Sequence, residues 1–479
     1  MATPIPSNDC GFDAQEIAAA TGARSAVAGL RTLSVAIDSR SCRPGALFVA
    51  LRGLRDGHEF VEAARQAGAA AAVVERGRAV PSLPCFEVDD TLRALGALAR
   101  AHLERRRRLR PLPVIAIGGA AGKTTTKELT AAVMRALCGP TLATFGNLNN
   151  RIGVPMTLFQ LTGEHQAAVI ECGTNQRGEI AALAEMVQPD AALVLNVDLE
   201  HTAGLGSLAG VADEEAALFC RAQCAVVSTE EPMLCERVPS GLRRLTFGES
   251  ASADVRLVSR TLDGDGAQTI RLHLRDGLLA DSAERELTVA LRLLGASAAS
   301  NAAAALAAGC AAVKRPLRRE ETAAIAAALG SVQAVPGRLQ LRACAGAVVL
   351  DDTYNSNPRS LRAALATARE LAEARRARLI LVIGDMLELG ELAAVAHLEA
   401  IEDLRAVQPA TIILVGAEFC SAAAHSDLRR GDVATSPDSA AAASLVTASV
   451  RSGDVVLVKG SRGIAMERIV EALCARVAD

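Results

Sequence analysis

The chain has no tryptophan, one tyrosine and nine phenylalanines in 479 residues, an aromatic share of 2% against an apolar share of 50%. A core of that composition is filled mainly by Ala, Val and Leu, which favours helices packed on buried strands. The twelve cysteines include no C-x-x-C and no Cys/His cluster, and the closest pair, Cys220 and Cys224, sits beside an apolar strand. Buried free thiols in a reducing cytoplasm are therefore expected, not a disulfide framework. An excess of one charge is lacking too, since 51 Lys and Arg against 54 Asp and Glu leave a net charge of −3. That balance carries no electrostatic footprint for nucleic acid or membrane, so the expected partners are small molecules met by a monomer, and an anionic substrate needs a local basic site.

The one charge run, RRRRLR at 105–110, precedes Pro111 and reads as a solvated helix end and linker. The first residues, MATPIPSNDCGF, have no basic or apolar stretch of the secretory kind, which predicts no signal peptide. Residues 293–313 lack charge for long enough to span a bilayer, yet Ala dominates them and Ser297, Ser300 and Asn301 interrupt them. A buried helix is the expectation.

A chain of this length divides into two or three domains. Residues 1–110 hold short apolar runs, LFVAL (47–51) and AAAVVE (70–75), around a helix at about 59–67, the pattern of a small α/β module. Residues 111–333 open with VIAI and continue with AAVIEC (167–172), AALVLNV (191–197) and CAVVST (224–229) between helices. Wholly apolar runs of this kind predict a parallel sheet covered on both faces. Near Pro336-Gly337 the pattern restarts, and AVVLDD (347–352), RLILVIGDM (378–386), TIILVGA (411–417) and DVVLVKGS (454–461) make residues 334–479 a Rossmann-like unit. The fold class expected is thus α/β in three domains, the central one a parallel-sheet domain with a P-loop-type turn at 118–124.

The segment GGAAGKTTTKE (118–128) follows VIAI directly and opens a helix. A strand, a Gly-rich turn and a helix N-terminus together cradle phosphate. Gly119 and Gly122 shape the turn, Lys123 reaches the outer phosphates, Thr124 places its hydroxyl on Mg²⁺, and Thr125 continues the first turn. The strict G-x-x-x-x-G-K-[ST] pattern fails, because Ile117 stands where its first Gly belongs. Glu171, ending a neighbouring strand, reads either as a metal ligand or as a capping carboxylate. His201, just beyond AALVLNV, reads either as a second ligand or as a structural histidine.

Eight motifs in order, GKTTTKE (122–128), GNLNNRIGVPMTL (146–158), ECGTNQRGEI (171–180), NVDLEHTAGLGSLAGVA (196–212), VPGRLQLR (335–342), DDTYNSNPRSL (351–361), GDMLELG (384–390) and VKGSRGIAME (458–467), resemble the Mur ligase family, as do IDSR (37–40) and DGHEF (56–60). The resemblance spans nearly the whole chain. It implies an ATP- and Mg²⁺-dependent ligase that phosphorylates a carboxylate and lets an amine attack the acyl phosphate, most closely of the kind adding D-alanyl-D-alanine to a UDP-linked muramoyl tripeptide in the cytoplasm. It implies catalytic roles for Lys123, Glu171, His201 and Arg338, and nucleotide contacts from Asn301, Asp352, Tyr354, Asn355 and Asn357. It implies substrate contacts from Ser39, Arg40, Asn147, Asn150, Lys459, Ser461 and Arg462.

The departures from the family cluster at the chemistry. Gly118, Ala120 and Ala121 replace polar cradle positions, removing hydroxyls while keeping backbone amides. The lysine that the family carbamylates falls at Glu215, which reads either as a permanent carboxylate toward the same Mg²⁺ or as part of a solvated helix face. Ala296-Ser297-Ala298 stands for the family's R-H-N, and Ala203 for a Glu. Besides the cell-wall ligase, these losses leave open a relative recruited to another carboxylate, and a non-catalytic nucleotide binder.

Overall fold

Each continuous apolar run becomes a buried strand, and the strands gather into three sheets. The computed structural model describes residues 4–23, 29–198, 205–280, 285–426 and 433–475. The first sheet holds β1 (Ser34–Ala36), β2 (Ala46–Val49), β3 (Ala71–Glu75) and β4 (Cys85–Val88), all parallel and in sequence order. The helix Thr91–Leu109 follows, capped where Asp90 accepts the N–H groups of Leu92 and Arg93.

That helix carries four of the run's five arginines, and three of these four are half-buried in contacts instead of standing in solvent. Arg105 reaches the Gly11 carbonyl and Glu16 at 3.0 Å, Arg106 the Leu161 carbonyl at 3.3 Å, and Arg107 Asp190 at 2.9 Å. Only Arg108 remains largely in water. The reading as a solvated linker is corrected: the run fastens the first domain to the second. The cause is tertiary, because the helix packs on Gly153–Leu158 and Glu179–Val187 of the next domain, and both domains share one apolar core.

Inside that joint His102 donates Nε2–H to the Leu161 carbonyl at 2.9 Å and accepts from Arg105 at Nδ1, 3.0 Å away, so its ring is neutral. Burial pushes its pKa down from the ordinary 6.5 to about 4. The unfolded chain then binds a proton that the folded one refuses. Stability is complete above pH 6.5 and is lost as pH falls toward 4, by about 2 kcal/mol between pH 6.5 and 5. Urea unfolding across that interval should show the slope in the native chain and its loss in His102→Gln.

The central sheet comprises β5 (Val114–Gly118), β6 (Thr141–Ala143), β7 (Ala167–Glu171), β8 (Ala191–Val194), β9 (Cys224–Ser228), β10 (Arg243–Gly248), β11 (Val255–Leu262), β12 (Gln268–Leu274) and β13 (Glu286–Leu291). Their order is β13-β12-β11-β10-β9-β8-β5-β7-β6, parallel from β6 to β11, with β12 and β13 added antiparallel at one edge. The sequence reading missed β6 and β10–β13. β12 and β13 alternate buried and exposed residues, so they lack the unbroken apolar runs of the interior strands. The 19-residue helix Gly295–Val313 is long and apolar enough to cross a membrane, but it is mostly buried, against Lys123–Cys138 and the sheet, as expected for a core helix.

The third sheet runs β14-β15-β19-β16-β17-β18, from β14 (Gln340–Cys344), β15 (Ala347–Asp352), β16 (Leu379–Gly384), β17 (Thr411–Val415), β18 (Val433–Ser436) and β19 (Val455–Lys459), with only β14 antiparallel. Cys344 on β14 forms a disulfide with Cys474 on the last helix, 130 residues away, while the other ten cysteines are free. The expectation of free thiols throughout is corrected for this pair, which spacing in the chain could not show.

Candidate active site

The carboxyl ends of the central strands and of β15 and β19 face one another across a cleft of about 710 Å³. Open α/β sheets place ligands at such ends. No described residue of the first domain lines it, so Ser39 and Arg40 stand elsewhere, in a short turn where exposed Arg40 pairs with Asp38 at 2.6 Å.

The cradle forms where β5 ends and the helix Lys123–Cys138 begins. Gly119 has φ +114°, and a Cβ there would lie 2.9 Å from the Leu195 nitrogen, so glycine is required twice over. Gly122, at φ +88°, precedes the helix with no side chain capping it, and Asn301 packs against it. Three of the amides expected to face phosphate are already held by protein: Gly119 N–H by Glu215 Oε2 at 2.6 Å, Ala120 N–H by the Asn196 carbonyl at 3.1 Å, and Ala121 N–H by Asn196 Oδ1 at 2.8 Å. The open donors are those of the helix start, Lys123 to Thr125, which lack intrahelical partners. Lys123 folds over the turn, with Nζ 2.5 Å from the Gly119 carbonyl and 3.1 Å from that of Ala120.

Glu171 is almost wholly buried at the end of β7. Its Oε1 accepts from Asn149 Nδ2 at 2.9 Å and from Thr124 Oγ1 at 3.3 Å, while its Oε2 has no hydrogen-bond partner among the described residues. A buried, unpartnered carboxylate oxygen is costly unless a cation satisfies it. Thr124 and Glu171 therefore fit a divalent cation. No group of three metal-ligating side chains exists among the described residues. His201 lies outside the described residues, as does Ala203. Glu215, the other carboxylate weighed as a metal ligand, does not line the cleft, and its carboxylate is turned onto the underside of the cradle.

The third domain supplies the opposite wall. Arg338 stacks over the Tyr354 ring, 4.2 Å from its centroid, and its buried Nε has no partner among the described residues. That leaves a guanidinium edge for an anion. Asp352 accepts from Leu339 N–H at 3.1 Å and pairs with Lys459 at 2.7 Å; Lys459 also donates to the Asn355 carbonyl at 2.8 Å. Asn357 caps the helix Pro358–Arg375. Asn147 and Asn150 line the cleft, and Asn150 Oδ1 also accepts the N–H groups of Ile152 and Gly153 at 3.1 and 2.8 Å. Ser461, expected at substrate, is buried and holds the Leu387 N–H at 2.9 Å, and Arg462 lies near Glu467 at 3.4 Å; neither lines the cleft.

Three site residues escaped the sequence reading. Asn196 straps the cradle, Asn149 holds Glu171, and Arg359 crosses from the third domain to the Val197 carbonyl, Asp198 and Glu231. Asn196 had a signal, a polar side chain closing an apolar strand. Arg359 had none, because its partners lie in another domain.

Three family descriptions match the chain: Mur ligase family, catalytic domain, over residues 33–103; Mur ligase middle domain over 117–309; and Mur ligase, glutamate ligase domain, over 337–462. The UDP-N-acetylmuramoyl-tripeptide–D-alanyl-D-alanine ligase of Escherichia coli is 36% identical across 92% of this chain and 93% of its own length. A crystal structure of MurF from Acinetobacter baumannii superposes with a TM-score of 0.85 at 29% identity, covering 99% of this chain and 100% of that one. A MurF ligase from Thermotoga maritima in complex with ADP superposes at 0.79 with 26% identity, covering 92% and 97%.

Proposed function

The chain belongs to the Mur ligase family, and from that premise we propose that it is the ATP-dependent ligase that joins D-alanyl-D-alanine to UDP-N-acetylmuramoyl-tripeptide in peptidoglycan precursor synthesis. The observation that carries this reading is the cradle itself, open at Lys123–Thr125 and facing the unpartnered edge of Arg338 across the cleft. The work is cytoplasmic and the partners are small molecules.

The chemistry follows from bringing two anions together. A carboxylate oxygen of the tripeptide bonds to the γ-phosphorus of ATP as the bond to ADP breaks. The amine of the dipeptide then attacks the acyl carbon, inorganic phosphate leaves with the carboxylate oxygen, and the amine proton is lost to water or phosphate. Carboxylate and phosphate repel each other, so the site must concentrate positive charge where they meet. Lys123 swings from its loop carbonyls to the phosphates, the helix N-terminus offers its amides, and Arg338 approaches from the other wall. Thr124 and Glu171 would hold Mg²⁺, which would supply further charge neutralisation there. No nucleophilic side chain is required.

The stacked, planar head of Arg338 is not replaceable by a point charge. Arg338→Lys is expected to lower kcat at least about tenfold, the loss of one charge-assisted contact of roughly 1.5–3 kcal/mol. The measurement is steady-state phosphate release.

The reading as a whole is tested by mass spectrometry with ATP, Mg²⁺, UDP-N-acetylmuramoyl-tripeptide and D-alanyl-D-alanine, each omitted in turn. A UDP-muramoyl-pentapeptide that needs every component supports it. Nucleotide binding with no product favours the second reading, a relative recruited to another carboxylate, which the lost polar groups at Gly118, Ala120, Ala121 and Ser297 motivate.

A further inference from the structure

Glu215 sits on the helix Leu208–Ala216 with 3% of its surface exposed, and its Oε2 is 2.6 Å from the Gly119 nitrogen. The adjoining Gly118 is not in the left-handed region, so its backbone would accept any residue. The limit there is space: a Cβ on Gly118 would stand 2.7 Å from that same Oε2 and 3.3 Å from Leu218 Cδ2, so any larger residue must push the carboxylate aside. One carboxylate oxygen thus occupies the room of a side chain at 118 and holds the amide of 119.

We propose that Glu215 is a positioning residue for the phosphate cradle, and that Gly118 is the position that admits it. With Glu215 on the first amide and Asn196 on the next two, the turn is set before nucleotide arrives. The phosphates are then read by the helix-start amides and Lys123, with less ordering left to be done on binding. This division of labour replaces the hydroxyls missing at Ala120 and Ala121 with buried acceptors beneath the loop. Such a role for Glu215 rests on the site being a nucleotide site, and not on which acid is ligated.

The test is ADP affinity, by calorimetry on the full chain, in Mg²⁺ and again in EDTA. Glu215→Ala strands the Gly119 N–H and is expected to weaken ADP about tenfold in both buffers. Glu215→Gln, which keeps an oxygen acceptor at the same reach, should stay within about threefold of the native affinity. Gly118→Ala, approaching the same contact from the other side, should weaken ADP comparably to Glu215→Ala, and the double variant should lose much less than the product of the two. A deficit seen only with Mg²⁺ overturns the proposal and makes Glu215 a metal ligand, and a Gln variant as weak as Ala in both buffers also overturns it. Independent, multiplying losses at 118 and 215 overturn it as well. Failure of all variants and the native chain to bind ADP would instead strike the nucleotide site itself.

Discussion

A Lys123→Ala variant is expected to lose about three orders of magnitude in kcat/KM for ATP while melting within about 2 °C of the native chain. The two halves of this expectation come from the same geometry. Among the described residues the ammonium bonds to the Gly119 and Ala120 carbonyls and to no carboxylate, and it lines the open cleft, so its removal breaks no ion pair and leaves room for water in its place. During phosphoryl transfer, by contrast, it is the cation that reaches the phosphates from the cradle side, and removing one such preorganised donor costs about 2.7–4 kcal/mol of transition-state stabilisation. Phosphate-release kinetics together with thermal melting check both halves. A variant that melts normally and still turns over would remove Lys123 from the chemistry.

Glu171→Gln should produce the second large effect, a loss of about a hundredfold or more in turnover at millimolar Mg²⁺, with the Mg²⁺ midpoint raised at least about tenfold. The replacement is nearly isosteric, so the Asn149 and Thr124 contacts to Oε1 can persist. What disappears is the negative charge on an oxygen that has no donor among the described residues. An amide nitrogen placed there repels a cation instead of holding it. Because the native oxygen is unsatisfied without a cation, the variant is also expected to be no less stable than the native chain in EDTA. Turnover measured across a Mg²⁺ titration, with melting in EDTA alongside, separates this from a capping role. A carboxylate that merely caps would give a Mg²⁺ midpoint that does not move.

Much of the site is legible in the order of residues along the chain. Lys123, Thr124 and Glu171 come together because a strand, a glycine turn and a helix start are local events, and because apolar runs ending in one acidic residue place it at a strand's carboxyl end. The wall carried by Arg338, Tyr354 and Asn357 came from resemblance and does line the same cleft. The residues that differ from expectation are those whose partners are remote. Ser461 meets the Leu387 N–H, 74 residues away, and Glu215 meets an amide 96 residues before it. Spacing within a segment carries no information on such pairs.

The sequence alone determined the α/β class, three sheets built on continuous apolar runs, the phosphate cradle and its lysine, since each depends on backbone conformation and on burial patterns within a few residues of chain. Only the tertiary structure decided that an arginine run binds two domains together, that a disulfide links Cys344 to Cys474, and that the cradle's first amides meet Glu215 and Asn196. The physical reason is common to all three. A buried donor, acceptor or thiol takes whichever partner the packed domains bring within reach, and that choice is made across space after the local elements have formed.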